Sequence, residues 1–276
     1  AVRSEPSVPS LPSVPSLSDV PTGPTARDLP GPAPSGGWAD TEVSVRLRRG
    51  AGGTVRVDGV LCSAPVWFRW DGDTLWMVGS GASPVGDDHI RVRVDVGEGL
   101  DVTVRSVAAT VVYAARGAGT RWDTDIQVGA GARLDGRVVP VILTEHARHS
   151  ATTTVRAASG AVVRVDDVVV LGRDRERPGA LCSTLSVQVD DEPVLLTSID
   201  TSLPGWSGPA GTGGARVLAN RLHLTDDPGT PFAVPSSVDG TPNTALLDVS
   251  SGCRLAVAAA DEVHTARSYL DAVLPL

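Results

Sequence analysis

Two short clusters hold the side chains best suited to metal chemistry. Asp87-Asp88-His89 sits in a turn just ahead of a strongly alternating run. Two carboxylates and an imidazole suit a divalent transition ion held at modest affinity. The plainer account is a turn in which Asp87 or Asp88 caps the backbone and His89 meets solvent. Glu145-His146-Ala147-Arg148-His149 supplies a close pair of histidines. In an extended segment an offset of three puts the two rings on opposite faces, so one ion could be shared only across a bend. Asp166 and Asp167 interrupt a valine-rich run, and one of them should point inward. A buried carboxylate is costly unless paired, so Arg164 or another arginine is its expected partner, in a structural role.

Signatures of catalysis are weak. Gly205-Trp206-Ser207-Gly208-Pro209 falls one residue short of a nucleophile elbow, with Pro209 in the second glycine position and no helical pattern after it. Gly208–Gly214 lacks P-loop spacing. No lysine occurs in the chain, so neither a Walker-A lysine nor a Schiff base is available. Both stretches read as surface loops rather than catalytic turns.

The net charge of −8 argues against a general nucleic-acid binder, which needs a basic face. Cys62, Cys182 and Cys253 form an odd, scattered set, read as reduced thiols in a core and suited to the cytosol. The N-terminus has no apolar leader pattern, and the run Leu255–Ala260 is far too short to span a bilayer. The expectation is a cytoplasmic protein that engages neither membrane nor nucleic acid.

These residues must be held by strands. Valine richness with many Gly and Asp favours strands and tight turns. In Ile90-Arg91-Val92-Arg93-Val94-Asp95-Val96, four aliphatics share one face and charges the other, the pattern of a half-buried strand. Val94–Val102 is echoed at Ile126–Leu134, more faintly at Val155–Val163, and loosely at Val187–Leu195. The spacing of roughly 30 residues marks stacked supersecondary units. Each unit reads as strand, Gly- or Asp-bearing turn, strand, so the predicted fold is mostly all-β, with stacked β-hairpin layers in a solenoid- or sandwich-like body. Residues 1–37, rich in Pro and Ser, read as a disordered tail, and residues 38–276 as a single β-rich domain. Gly205–Gly214 and Pro228–Pro242 read as irregular. Leu255, Ala258, Ala259, Val263, Ala266, Leu270 and Val273 lie near one stripe, predicting an amphipathic helix over about 255–273.

An ordered set of phrases resembles the UreD (UreH) family of urease accessory proteins. Ser83-Pro84-Val85-Gly86-Asp87-Asp88 stands where that family has a glycine-rich turn ending in Gly-Asp. The strand Ile90–Val96, the turn Gly97-Glu98-Gly99, Val107-Ala108-Ala109-Thr110 and Val112-Tyr113 follow in the family's order. The turn Val128–Ala132, the segment Pro140-Val141-Ile142-Leu143 and Val170-Leu171-Gly172-Arg173 continue it, and the terminal helix is similar too. Val107, Val111, Val139 and Val141 depart by replacing polar residues. The resemblance implies a non-catalytic chaperone that joins UreF-like and UreG-like proteins on apo-urease while nickel reaches the active site, through a polar passage in the β body. No cofactor would be tightly bound, and nickel would be in transit, with Asp87, Asp88, His89, Glu145, His146 and His149 as its candidate contacts. The alternative is a non-metal β-sandwich or solenoid binding module, recognising carbohydrate through Trp67, Trp70, Trp76, Trp122 or Trp206, or recognising protein. A hydrolase using Ser207 or a histidine ranks last.

Overall fold

The computed structural model describes residues 40–114, 117–226, 243–250 and 252–274. The tail at 1–37 and all of Pro228–Pro242 lie outside them. The described strands begin with β1 (Asp40–Arg49), β2 (Val55–Leu61), β3 (Val66–Trp70), β4 (Thr74–Gly79), β5 (His89–Val96) and β6 (Asp101–Ser106). Then come β7 (Thr110–Val112), β8 (Thr120–Val128), β9 (Arg133–Arg137), β10 (Val141–Leu143), β11 (Arg148–Ala157) and β12 (Val162–Leu171). The last are β13 (Ala180–Val189), β14 (Glu192–Asp200), β15 (Val217–Leu224), β16 (Asn243–Ser250) and β17 (Cys253–Ala260), before helix α1 (Val263–Val273).

Two sheets face each other. Sheet A runs β14-β13-β11-β8-β5-β1-β2, and sheet B runs β16-β17-β15-β12-β9-β6-β4-β3, with β10 beside β12 and β7 beside β10. The centre of each sheet is parallel. Val94 pairs with Ile126, Ile126 with Val155, and Val155 with Val187, so the repeats of the sequence lie one above another. The body is mostly β and solenoid-like in its stacking. Its main core is aliphatic and fills the space between the sheets, with Ile90, Val92, Val94 and Val96 all facing in.

The repeat turns differ from the predicted hairpins. β5 and β6 flank Gly97-Glu98-Gly99 but belong to opposite sheets, as do β8 and β9, and β11 and β12. Each turn is therefore an arch that carries the chain from one sheet to the other. Local sequence marks where the chain turns, whereas only the stacked neighbour decides what its strands pair with. The arches bond to one another: Gly129 N donates to Val96 O at 2.8 Å, and Ala158 N to Val128 O at 2.9 Å. A side chain at Gly129 would meet Glu98 N at 2.7 Å, which is why the turn there carries none. The loosest copy is a true hairpin, since β13 and β14 pair antiparallel. Asp190 and Asp191 both have positive φ there, as a two-residue type I′ turn requires.

The terminal segment also differs. The predicted helix from Leu255 begins only at Val263, because Cys253–Ala260 is a strand. Cys253 and Leu255 of β17 face the inter-sheet core, while Ala256, Ala258 and Ala260 face α1. A strand covered on both sides reads as a continuous apolar run, which periodicity cannot separate from a helix. The alanines let α1 approach closely, and Ala266, Tyr269, Leu270 and Val273 close over them. The cysteines are free, but Cys182 is exposed and only Cys253 is fully buried, which corrects the expectation of three core thiols.

Candidate functional site

The two predicted clusters separate once the backbone is in place. Asp88 is buried, and its Oδ2 accepts from Ser83 Oγ at 2.6 Å and from Val85 N at 3.0 Å. Asp87 Oδ1 accepts from Gly119 N at 3.0 Å. His89 opens β5 on the outer side of sheet A. Its Nδ1 accepts from Arg91 at 3.0 Å, and its Nε2 meets Asp123 Oδ2 at 2.7 Å. With both ring nitrogens engaged, this imidazole offers no lone pair to an ion. The turn is thus built by its own ligands.

The segment after β10 does contain the bend that a shared histidine site would need. Ala147 N donates to Thr144 O at 2.9 Å, and His146 takes a φ of 65°. The bend sends the rings apart. His146 is 80% exposed and 3.7 Å from Glu145, whereas His149 is buried. Glu145 also lies 3.8 Å from Arg177. Among the described residues no group of three or more His, Cys, Asp and Glu side chains converges to hold a metal ion.

His149 instead joins a different environment. Between the sheets lies a cavity of about 140 Å³, walled mostly by apolar groups such as Val92, Ile126, Leu134 and Leu222. His149, Asp167, Asn220, Thr124 and Thr153 bring polarity to its wall. His149 Nδ1 lies 2.7 Å from Thr120 Oγ1. Burial lowers its pKa to about 4, so the ring is neutral near pH 7, the form that binds metals. Burial pushes the Asp167 carboxyl above its usual range, partly offset by Ser183 Oγ at 3.4 Å.

The two adjacent aspartates face opposite ways, as neighbours on a strand must. Asp166 points out beneath α1, where Arg221 grips it through Nε at 2.7 Å and Nη2 at 2.8 Å. Arg221 Nη1 also donates to Leu274 O at 2.8 Å, tying the helix end to sheet B. The predicted pairing is present, with Arg221 rather than Arg164 as the partner. Asp167, which the sequence reading assigned no site role, is the carboxylate inside. The signal available for it was strand parity alone.

Two further cavities share walls with the first. One of about 230 Å³ shares Met77, Ser106, Thr110 and Trp122. The other, of about 740 Å³, lies by β14, β16 and Trp206 and shares Leu185 and Asn220. These two adjoin the first, and they reach the surface beside exposed Tyr113 and Leu203, respectively. No helix among the described residues is long and apolar enough to cross a membrane.

Comparison with known proteins places residues 42–275 against the family described as UreD urease accessory protein. A urease accessory protein UreD from Parafrankia sp. (strain EAN1pec) is 28% identical over 272 residues, spanning 88% of this chain and 91% of that protein. UreD from Frankia alni is 29% identical over 272 residues, spanning 83% of this chain and 90% of that one. UreD 1 from Saccharopolyspora erythraea is 33% identical over 197 residues, spanning 70% of this chain and 74% of its own length.

Proposed function

This chain belongs to the UreD family of urease accessory proteins, and from that membership we propose that it holds apo-urease, with UreF-like and UreG-like proteins, while nickel is inserted. It is an accessory protein and not an enzyme. In this proposal the work is cytoplasmic, no cofactor is held tightly, and nickel is cargo.

The observation that carries the nickel part is the inter-sheet cavity. Its mostly apolar wall includes a buried neutral imidazole, His149, and a buried carboxyl, Asp167. Nitrogen and oxygen donors in small number suit a divalent transition ion in transit, because a full ligand set would trap it. The adjoining cavities support a route between the sheets rather than over the Asp87–His89 turn. Of the six residues first considered, His149 stays in the proposal. Asp87, Asp88, His89, Glu145 and His146 are given structural or surface roles.

Co-expression with urease subunits and the other accessory proteins tests both parts. Omitting this chain should leave urease nickel-poor and inactive; full nickel content without it would end the proposal. The His149→Ala/Asp167→Ala variant should still co-purify with apo-urease yet lower nickel loading about tenfold, the scale of losing groups that support a metal site. Unchanged loading by that variant would remove the cavity from the nickel route and leave the scaffold role alone.

A further inference from the structure

We propose that the outer edge of β14 docks an extended segment of a partner protein, apolar in its middle and basic at its ends, as one more strand of sheet A. Sheet A ends at β14 and β2, and sheet B at β16 and β3. An end strand presents a row of unpaired backbone donors and acceptors, and charged side chains along it discourage pairing. β2 carries Arg56 and Asp58, β3 carries Arg69, and β16 carries Asp248. β14 carries no charge between Pro193 and Asp200, where it reads Val194-Leu195-Leu196-Thr197-Ser198-Ile199. Among the described residues β14 pairs with β13 alone. Leu196 is 74% exposed and Ile199 36%. Of the four end strands, this is the one whose edge is left open to pairing.

The charges around the open run define its partner. The β13–β14 hairpin, residues 180–200, carries Asp190, Asp191, Glu192 and Asp200 and no basic residue, and residues 201–215 carry no charge. Arg156 on β11 is held by Asp125. In the β12–β13 loop Arg173, Arg175 and Arg177 stand against Glu176, Asp174 and Glu145. Arg148, at the start of β11, donates to Gly117 O. The run is therefore bounded by carboxylates, Glu192 at one end and Asp200 at the other. Along an extended strand these two lie about 27 Å apart, at ~3.4 Å per residue. Opposite charges on neighbouring strands stabilise their pairing and like charges oppose it. A strand with a cation near each end and apolar residues between is the complement.

The same charges disfavour a second copy of this chain. Full-length antiparallel self-pairing, centred on Leu196, would set Glu192 of each copy directly opposite Asp200 of the other. In-register parallel pairing would set each acid beside its own counterpart. A nucleic acid fails likewise, because its phosphates would meet these carboxylates. The space beneath the edge favours a strand with side chains to insert. Thr197 and Ile199 of β14 line the cavity of about 740 Å³, together with Leu203, Trp206 and Val257. Successive side chains of an added strand alternate between the two faces of the sheet, so every second one would point toward that cavity. Backbone pairing then supplies affinity, and the cavity selects the side chains.

The proposal rests on the accessory-protein reading only for the assembly in which the partner occurs, and its test separates the two. The full chain is titrated with a fluorescent peptide about as long as β14, with an arginine at each end and Val, Leu and Thr between. Two controls accompany it, one with Glu in place of the arginines and one N-methylated at alternate residues, which blocks strand pairing along that edge. The Arg-ended peptide should bind, and both controls should bind far more weakly. Leu196→Lys should weaken binding roughly tenfold, the scale of an anchor residue, because it sets a cation in the middle of the edge. Glu192→Arg should weaken it about threefold, the scale of one cross-strand charge pair, and strengthen binding of the Glu-ended peptide. Leu61→Lys, on the opposite end strand at a side chain 51% exposed, should change nothing, and melting curves should show all variants folded. Equal binding of either control peptide, or indifference to Leu196→Lys, would overturn the proposal. In co-expression, Leu196→Lys should reduce recovery of the urease assembly; undiminished recovery would also overturn it. Failure of the wild-type chain to recover any assembly would defeat the accessory reading, while the peptide result would stand on its own.

Discussion

On the outer face of sheet A, Arg91, Arg93, Arg48 and Arg156 stand 2.5, 2.9, 2.6 and 2.5 Å from Asp40, Glu42, Asp95 and Asp125. Charges alternate across neighbouring strands, and these four arginines each have a carboxylate within 3 Å, with Arg46 also 3.6 Å from Asp95. On the outer face of sheet B the same residue types are distributed unevenly. One half lies under α1, where Arg221 and Asp166 pair with side chains 1% and 2% exposed. In the other half Arg105 and Arg137 share Asp135, with side chains 22% and 30% exposed. The difference teaches that an ion pair's worth is set by what covers it. A half-exposed pair gains about 0–1 kcal/mol, since water and salt already stabilise both partners. Losing one partner of a covered pair strands a charge that water cannot reach.

The largest expected break in this comparison is Arg221→Ala. It should cost about 3–5 kcal/mol in chemical denaturation, because Asp166 would stay buried without its partner. A combined Asp166→Leu/Arg221→Met variant should recover most of that loss. If the single variant is silent, α1 does not seal this pair as described.

An intermediate effect concerns the inner face of sheet A. His149 has its pKa lowered to about 4 from 6.5 by burial. Between these values the unfolded chain binds more protons than the folded one, so stability rises with pH. The contribution is complete above about pH 6.5 and is lost as pH falls toward 4, by ~3 kcal/mol at most. His149→Asn should flatten that part of the profile of denaturation midpoint against pH. The lowered pKa of His223, caused by burial and surrounding arginines, adds a slope of the same sign, which that variant would leave in place.

The smallest effect belongs to the ladder itself. Arg93→Gln, breaking an exposed pair with Glu42, should shift stability by about 0.2–1 kcal/mol and less at high salt. A loss comparable to that of Arg221→Ala would erase the contrast between the two faces.

Much of the architecture could be read before any coordinates. Alternation in Ile90–Val96 identified its buried face, the echo of Val94–Val102 identified the stacking, and the Ala266–Leu270–Val273 stripe identified the helix. The candidate site was less accessible. Asp87, Asp88 and His89 look like ligands because a sequence does not reveal that Gly119, Ser83, Val85, Arg91 and Asp123 already occupy them. Three of these five lie close along the chain, but Gly119 and Asp123 arrive from an adjoining layer of the stack.

Sequence alone determined the side-chain parity of each strand, the positions of the turns, and the absence of lysine chemistry, since all are properties of composition or of neighbours along the chain. Tertiary structure decided three other matters. It made the repeat turns arches rather than hairpins, turned His149 inward and His146 outward, and gave Asp166 to Arg221 while leaving Asp167 in the cavity. The arches and the Asp166–Arg221 pair depend on partners some 30 or more residues away, and period-two patterning names the face a residue takes without naming what it will meet there.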